Sequence, residues 1–431
     1  MMNKKIGIGA CIVCLIIGIF YYLNHTSNTL TIGIFVGSNW GVPEPNSYQI
    51  IDDAIARFEQ EHPNITITYI SGITKDDYSS WLSSLIVQGK EPDLYMVLSE
   101  DFNTLAALGA LEDLNISISN DSSFDISEYY KSSLHAGLYH NHQYALPYQS
   151  NPTVMFVNKT LLEKEGIQVP SENWTLDDFY SICHKVTKDS NLDGVIDQFG
   201  YYNYDWQNVA NAYGITLFDE EGTSSRFNDE NMKPVIQYIE KLNNLQEGRI
   251  VTSKDFDEGR VAFCPLTFSD FRTYQPYPYR VQKYSTFKWE CIPLPKSSSH
   301  ESLSETDSLL FGMSSRSSHK DLAWEFLKYL TYDSNTQTEL VKYSTGFPVI
   351  RSVGKSTELM SWMDDESLNQ TIDLNALNVS MELDVSSNRF KRKDGALKVA
   401  DYLINQSLQN GDDLDHALIE IKKEVDDYLQ D

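Results

Sequence analysis

The sequence predicts an α/β protein built on doubly wound, mostly parallel sheets, and three observations carry that prediction. From residue 30 onward, short β-rich runs alternate with amphipathic helical runs in the order β-α-β-α-β-α, which gives parallel strands covered by helices. The chain has 431 residues, 41% of them hydrophobic, enough for two or three domains that each bury a core. No internal repeat and no long low-complexity tract interrupts the pattern.

Each element follows from its own residues. Residues 31–36 are a short β-rich run. Ile50, Ile51, Ala54, Ile55 and Phe58 recur at helical spacing until Pro63 stops the helix, because proline has no N–H to donate and its ring clashes with the preceding turn. Ile65, Ile67 and Tyr69 alternate with polar residues as a strand does; Tyr78, Trp81, Leu82, Leu85 and Ile86 return to helical spacing before Gly89. Residues 94–98 read as a buried strand, and Ser99 or Asp101 can cap the helix carrying Phe102, Leu105, Ala106 and Leu108. In such sheets ligands sit beyond the carboxyl ends of the strands, here residues 37–41 and 99–101. Farther on, Pro147, Pro152 and the polar Gln149-Ser150-Asn151 interrupt an apolar stretch. An extended segment should pause there, turn, and resume as the strand-like run 153–157, where one sheet can hand over to another. Thr175 is the expected N-cap of a following helix, and residues 232–247 form another amphipathic helix. Ala417, Leu418, Ile421, Val425 and Leu429 mark the last one. The serine-rich stretch 297–305 reads as an exposed loop.

The formal charge of −27, from 61 acidic and 34 basic residues, repels nucleic acid and anionic lipid headgroups. Aromatics make up 12% of the chain, with 26 Tyr, more than a core alone needs, so some should line a binding surface. At the N-terminus Lys4 and Lys5 precede an apolar run over residues 6–23, which as a helix is roughly 27 Å long, near the thickness of a bilayer core. Residues 1–29 therefore read as an export segment that places the N-terminus inside the cell and the rest of the chain outside. Two forms of tether fit. Ile8-Gly9-Ala10-Cys11 resembles a lipoprotein cleavage box with Cys11 as the acylated residue; the apolar run continuing well past Cys11 favours an uncleaved membrane anchor. Cys183, Cys264 and Cys291, beyond the segment, show neither zinc spacing nor a disulfide framework and are expected to be buried and unpaired.

The sharpest local motif is Asp189-Ser190-Asn191-Leu192-Asp193-Gly194-Val195-Ile196-Asp197-Gln198. Asp189, Asn191, Asp193 and Asp197 occupy positions 1, 3, 5 and 9 of an EF-hand-like loop, with Gly194 at the tight turn and the Val195 carbonyl at position 7. Position 12 is Gly200 in place of the bidentate Glu, so Gln198, another group or water would close the shell. The two readings are a structural Ca2+ site and an Asx-rich turn without an ion.

In order along residues 58–114 stand Phe58-Glu59, His62-Pro63-Asn64-Ile65, Gly89-Lys90-Glu91-Pro92-Asp93-Leu94 and Leu108-Gly109-Ala110-Leu111-Glu112-Asp113-Leu114. They are followed by Trp174-Thr175-Leu176-Asp177-Asp178-Phe179, Phe256-Asp257-Glu258-Gly259-Arg260-Val261-Ala262-Phe263, Ala323-Trp324-Glu325-Phe326-Leu327 and Gly346-Phe347-Pro348-Val349. This series resembles the bacterial extracellular solute-binding proteins, in their maltose-binding-protein-like, carbohydrate-importer branch. The resemblance covers nearly everything from residue 30 onward and is weakest over 354–393, where no motif can be placed. It implies a two-lobed, type II periplasmic-binding-protein-like fold, each lobe a doubly wound, mostly parallel sheet, the two joined by a hinge whose first crossover is the segment at Pro147 to Pro152. The lobes implied are residues 30–147 with 266–315, and 148–265 with 316–431.

The implied function is capture of a mono- or oligosaccharide between the lobes and its delivery to the permease of an ABC importer, by a monomer tethered on the outer side of the membrane. A sugar site needs planar aromatics for ring faces and carboxylates or amides for hydroxyls. By family position the candidates are Asn39, Trp40, Glu100, Asp101, Tyr148, Asn151, Tyr204, Asp205, Trp206, Phe268, Asp270 and Phe271, with Trp206 the favoured stacking platform. Taken singly, each aromatic is better read as core packing and each carboxylate as solvated surface; as a set they fall where the family's cleft would be. Paired carboxylates beside aromatics also suit a glycosidase. However, no Gly-x-Ser-x-Gly, His-Glu-x-x-His or phosphate loop is present, and His135, His140 and His142 read as a polar turn. No enzymatic activity is expected. The alternatives are a secreted glycoside-active enzyme and a cell-surface binding protein without transport.

Overall fold

The computed structural model describes residues 28–44, 46, 48–274, 287–298, 305–366, 374–383, 385–386 and 389–430. The export segment, Cys11 and loop residues 299–304 lie outside them. Among the described residues no helix is long and apolar enough to cross a membrane.

The first lobe starts as the alternation predicts. β1 (Asn28–Gly33) runs parallel to both β2 (Ile65–Tyr69) and β3 (Leu94–Val97), and lies between them. The intervening helices Gln49–Glu61 and Lys75–Gln88 bury Ile50, Ile51, Ala54, Phe58, Tyr78 and Leu82, the apolar stripe set by their spacing. Thr74 caps the second of these at Asp77, and Gly89, at φ 66°, ends it in the left-handed region. The helix Ser99–Ala107 has Leu98 at its N-cap and no side-chain cap, so neither Ser99 nor Asp101 serves that role. A hairpin of β4 (Leu138–Tyr139) and β5 (His142–Gln143) then leads into β6 (Ala145–Asn151).

The handover falls later than the polar patch suggests. Gln149, Ser150 and Asn151 remain in β6, buried and paired with the first-lobe strand β11 (Glu305–Met313), and Pro152 alone breaks the strand. Polar side chains are tolerated there because they are bonded: Ser150 Oγ lies 2.8 Å from Ser133 Oγ and 2.7 Å from Ser308 Oγ. Beyond Pro152, β7 (Thr153–Asn158) enters a second sheet, ordered β10-β7-β9-β8 with β8 (Phe199–Tyr201), β9 (Val261–Thr267) and β10 (Trp289–Ile292). The first sheet runs β12-β11-β3-β1-β2, where β12 is Val385–Ser386, and β6 joins it on β11. Both sheets are mixed. β7 is antiparallel to both β9 and β10, and β11 runs antiparallel to β3 and β6; among the described strands β1–β2, β1–β3, β8–β9 and β11–β12 pair in parallel.

The lobe boundaries differ from the expected split after residue 265. β9 does not return to the first sheet: the helix Phe268–Tyr274 follows it, Phe271 packs 5.9 Å from Phe156, and β10 pairs with β7. The chain regains the first sheet only at β11. The helices Lys320–Thr331 and Ser334–Tyr343 then bury Phe326, Leu327, Leu330 and Leu340 in the same core as Leu30 and Ile32. Residues 266–298 thus belong with the second lobe and 316–353 with the first, because a helix that follows a strand by a short connection covers the nearest open face of that strand's own sheet. The last helix, Leu414–Gln430, docks on the second lobe as expected, with Leu418, Ile421 and Val425 beside Phe179 and Met155 in one core. Cys183 and Cys264 are buried thiols without a disulfide, and Cys291 is buried as well.

Candidate ligand-binding site between the lobes

The carboxyl end of β1 opens into an irregular loop whose turns need glycine: Gly37 and Gly41 sit at φ 96° and 71°. Between them lie Asn39, buried, whose carbonyl accepts from Lys75 Nζ, and Trp40, half-buried. The Trp40 indole Nε1 donates to Asp307 Oδ2 at 3.0 Å, and Ser99 Oγ donates to Asp307 Oδ1 at 2.6 Å. One carboxylate on β11 therefore ties together the loops beyond β1 and β3. Glu100 and Asp101 occupy the first turn of the helix beginning at Ser99. Burial pushes the Glu100 carboxyl up; its own backbone N–H and Lys75 oppose this, while Asp101 and Asp307 reinforce it.

Glu44 lies nearby, its Oε2 accepting from Thr345 Oγ1 at 2.8 Å. Burial raises its pKa as well, against the Thr345 and Ser344 hydrogen bonds and the charge of Arg272 from the second lobe. On the second lobe Asp205 caps the helix Trp206–Ala212, accepting from Gln207 N at 2.9 Å and Asn208 N at 3.1 Å, and burial raises its pKa despite those bonds. Glu100 and Asp205 expose area to solvent yet are crowded by protein. That is the condition of carboxylates on the wall of a recess.

Away from the crossover the lobes meet directly. Asn103 Nδ2 donates to the Glu220 carbonyl at 2.5 Å, Tyr139 Oη donates to Glu221 Oε1 at 3.0 Å, and His140 Nε2 lies 2.7 Å from that same oxygen. The hairpin tip that presents these groups has His140 and Asn141 at φ 48° and 64°, the left-handed pair of a type I′ turn. Arg389 lies over the Phe102 ring at 5.0 Å and donates to the His135 and Leu138 carbonyls at 2.6 and 2.9 Å. Burial brings its pKa down to about 10, with Glu220 and Asp307 opposing, so it keeps its charge at neutral pH.

Asn39 and Trp40 thus lie in the loop beyond β1, Glu100 and Asp101 in the first helical turn beyond β3, and Asp205 at the start of the helix Trp206–Ala212 after β8; the remaining candidates lie elsewhere. Tyr148 is 3% exposed, its ring edge-on to Phe311 in the first-lobe core. Tyr204 is buried against Phe179 at 4.6 Å. Trp206, the favoured platform, is 2% exposed: its ring packs 5.5 Å from Phe227 and its Nε1 donates to Asp401 Oδ1 at 3.2 Å. It stands at the first position of its helix, so it shares a face with Val209 and Ala210 and turns inward with them. Phe268 and Phe271 are buried beside Phe347 and Trp289. Asn151 is a clamp at the crossover, donating to Ser269 Oγ at 3.0 Å and accepting from Ser269 N at 2.9 Å. Asp270 accepts from Thr267 Oγ1 at 2.7 Å at the start of its helix.

The calcium-like loop is held by its own backbone. Asp189 accepts from Leu192 N at 2.7 Å and Gly194 N at 2.6 Å, Asn191 from Asp193 N at 2.9 Å, Asp193 from Val195 N at 2.9 Å, and Asp197 from Ser190 N at 2.7 Å. Gln198 points away from the loop, donating to Glu165 at 3.0 Å and the Val186 carbonyl at 2.8 Å, and so is not a ligand candidate in this arrangement. Among the described residues no group of three or more His, Cys, Asp or Glu is disposed to hold a metal ion.

Sequence reasoning missed Asp307, Glu44, Thr345, Lys75, Arg272 and Arg389. Asp307 carried a usable signal, a carboxylate just ahead of the apolar Leu309-Leu310-Phe311 in one strand; Arg389 carried none, since its stretch has no periodicity.

Comparison with known proteins agrees with this architecture. A maltotriose-binding protein of Pyrococcus abyssi is 22% identical over 351 residues, covering 74% of this chain and 68% of the relative. The sugar-binding protein MalE of Xanthomonas citri superposes with a TM-score of 0.73 at 16% identity, over 94% of this chain and 98% of its own. A cyclic alpha-maltosyl-1,6-maltose binding protein of Arthrobacter globiformis gives 0.73 at 15% identity, over 93% and 99%. The family model for bacterial extracellular solute-binding proteins matches residues 43–337. With two lobes, a crossover at Pro152 and polar groups gathered at the strand ends between them, this chain belongs to the bacterial extracellular solute-binding protein family.

Proposed function

We propose that the protein captures a carbohydrate outside the cell and delivers it to the membrane permease of an ABC importer, as a monomer held to the membrane by its N-terminal segment and without turning the sugar over. The observation that carries this reading is Trp40: a half-buried indole at a strand end, its N–H held by Asp307, with the Glu100 carboxylate close to that same Asp307. Such a group offers a flat apolar face to a sugar ring and acceptors to its hydroxyls. The relatives named for maltotriose and for cyclic alpha-maltosyl-1,6-maltose support the same ligand class. Closure drives transport only if the ligand binds the closed state more tightly than the open one, and a site divided between lobes supplies that difference. The test is a thermal-shift panel of mono- and oligosaccharides, amino acids, peptides and metal chelates. A sugar, such as a maltooligosaccharide, is expected to raise Tm; stabilisation by an amino acid, peptide or chelate alone would replace the substrate class.

The pH dependence follows from the cleft carboxylates. Burial raises Glu44, Glu100 and Asp205, so their charged forms are lost at a higher pH than those of surface carboxylates. Once protonated, they no longer act as purely accepting partners for sugar hydroxyls. Calorimetric affinity should fall as pH drops below neutrality, before the ordinary carboxylate range is reached. An affinity flat down to that range would remove these groups from the site.

Ca2+ at residues 189–198 is proposed as a structural staple, on the strength of donors at positions 1, 3, 5, 7 and 9 of the loop. An ion bound only by the folded state stabilises it by mass action, about 2.7 kcal/mol at a hundredfold excess over Kd. Calcium should therefore raise Tm in the wild type and not in Asp193→Ala. A melting curve indifferent to chelator in both proteins would make the loop a turn held by its backbone bonds alone.

A further inference from the structure

Trp40 has an anchoring problem that the fold solves in one place. Its loop lacks regular structure and turns at two left-handed glycines; the Trp40 backbone N–H donates to Ser38 Oγ at 3.1 Å, itself 2.9 Å from Thr345 Oγ1, and Lys75 donates to the Asn39 carbonyl. Both act on the backbone beside the residue. At the far end of the side chain, the indole N–H reaches Asp307 Oδ2. Asp307 is itself rigidly placed: it pairs with Asn151, the last residue of β6 before the crossover, and its neighbour Thr306 pairs with Ser386 of β12. Its second oxygen accepts from Ser99 Oγ at 2.6 Å and Ser308 N at 2.9 Å, so both oxygens are engaged within the protein.

We propose that Asp307 is the positioning residue of the sugar platform: it holds the Trp40 ring at a fixed angle through the indole N–H and locks that ring to the loop beyond β3 through Ser99, without meeting the ligand itself. This rests on reading the cleft as a carbohydrate site. A stacking ring that is already fixed loses less rotamer freedom on binding, and a charge-assisted acceptor holds it more firmly than a neutral one.

Two measurements test it, one of them independent of any ligand. In protein labelled with 15N-tryptophan, the indole N–H resonance of Trp40, identified by its loss in Trp40→Phe, should exchange with water at least about tenfold faster in Asp307→Ala than in the wild type. Asp307→Asn keeps the shape of the side chain and an accepting oxygen, and should restore most of the protection. The second measurement is a double-mutant cycle with maltotriose as the probe. Trp40→Ala and Asp307→Ala should each weaken binding about tenfold, and the double variant should be no weaker than Trp40→Ala alone. Unchanged indole exchange in Asp307→Ala, or fully additive losses of affinity, overturns the positioning role. If no sugar binds the wild type, the carbohydrate reading fails, while the exchange experiment still decides whether Asp307 holds the ring.

Discussion

Trp206→Ala is expected to cost about 3 to 5 kcal/mol of folding stability, the range for truncating a buried tryptophan, and to leave sugar affinity unchanged wherever the variant is folded. The ring lies in the second-lobe core with Phe218, Phe227 and Val209, and its loss opens a cavity that this helix-lined region can only partly refill. The Asp401 bond to its Nε1 disappears as well, leaving a carboxylate that can turn to water. Chemical unfolding and calorimetric titration on the same variant settle the point. Lost affinity at full stability would move Trp206 back to the binding surface.

Gly137→Ala should be as damaging by the opposite mechanism. A Cβ at this position would fall far inside van der Waals contact with the Ala145 carbonyl oxygen and 2.6 Å from Gln143 Nε2, while Gly137 O accepts from Tyr144 N at 2.9 Å. A backbone atom cannot step aside as a side-chain end can, so the start of β6 and the hairpin bearing His140 must separate, at about 3 kcal/mol or more. Gly109→Ala is the control: at φ 67° with no atom within 4 Å of the added Cβ, it carries only backbone strain of roughly 1 to 2 kcal/mol. Equal melting temperatures for the two variants would show that the strand and hairpin yield more easily than close packing allows.

Much of the fold was legible in the sequence because its determinants are local. The period of Ile50, Ile51, Ala54 and Phe58, the Thr175 cap and the Gly89 terminator each act within a few residues, and each is found where expected. The lobe boundaries were less legible. Apolar spacing shows that residues 320–331 form a helix with a buried face, but not which of two sheets that face will cover.

The candidate site divides along the same line. That Trp40, Glu100, Asp101 and Asp205 follow the ends of strands was legible, since chain direction determines where loops emerge. Trp206 was misplaced because a polar neighbourhood at Asn203, Asp205 and Gln207 says nothing of the direction in which one ring points; its partners Phe227 and Asp401 come from segments distant in sequence.

By itself, then, the sequence determined the alternation of strands and helices, an interruption somewhere between Pro147 and Pro152 and the acidic, aromatic-rich character of the chain, all of which depend on neighbours along the backbone or on composition. Only the tertiary structure decided that Asp307 meets Trp40 and Ser99, across 267 and 208 residues of chain, and that Tyr148, Trp206, Phe268 and Phe271 turn inward. The physical reason is that a side chain's role depends on what packs against it. Across such separations that is settled by the way sheets pair and lobes close, which local preference does not encode.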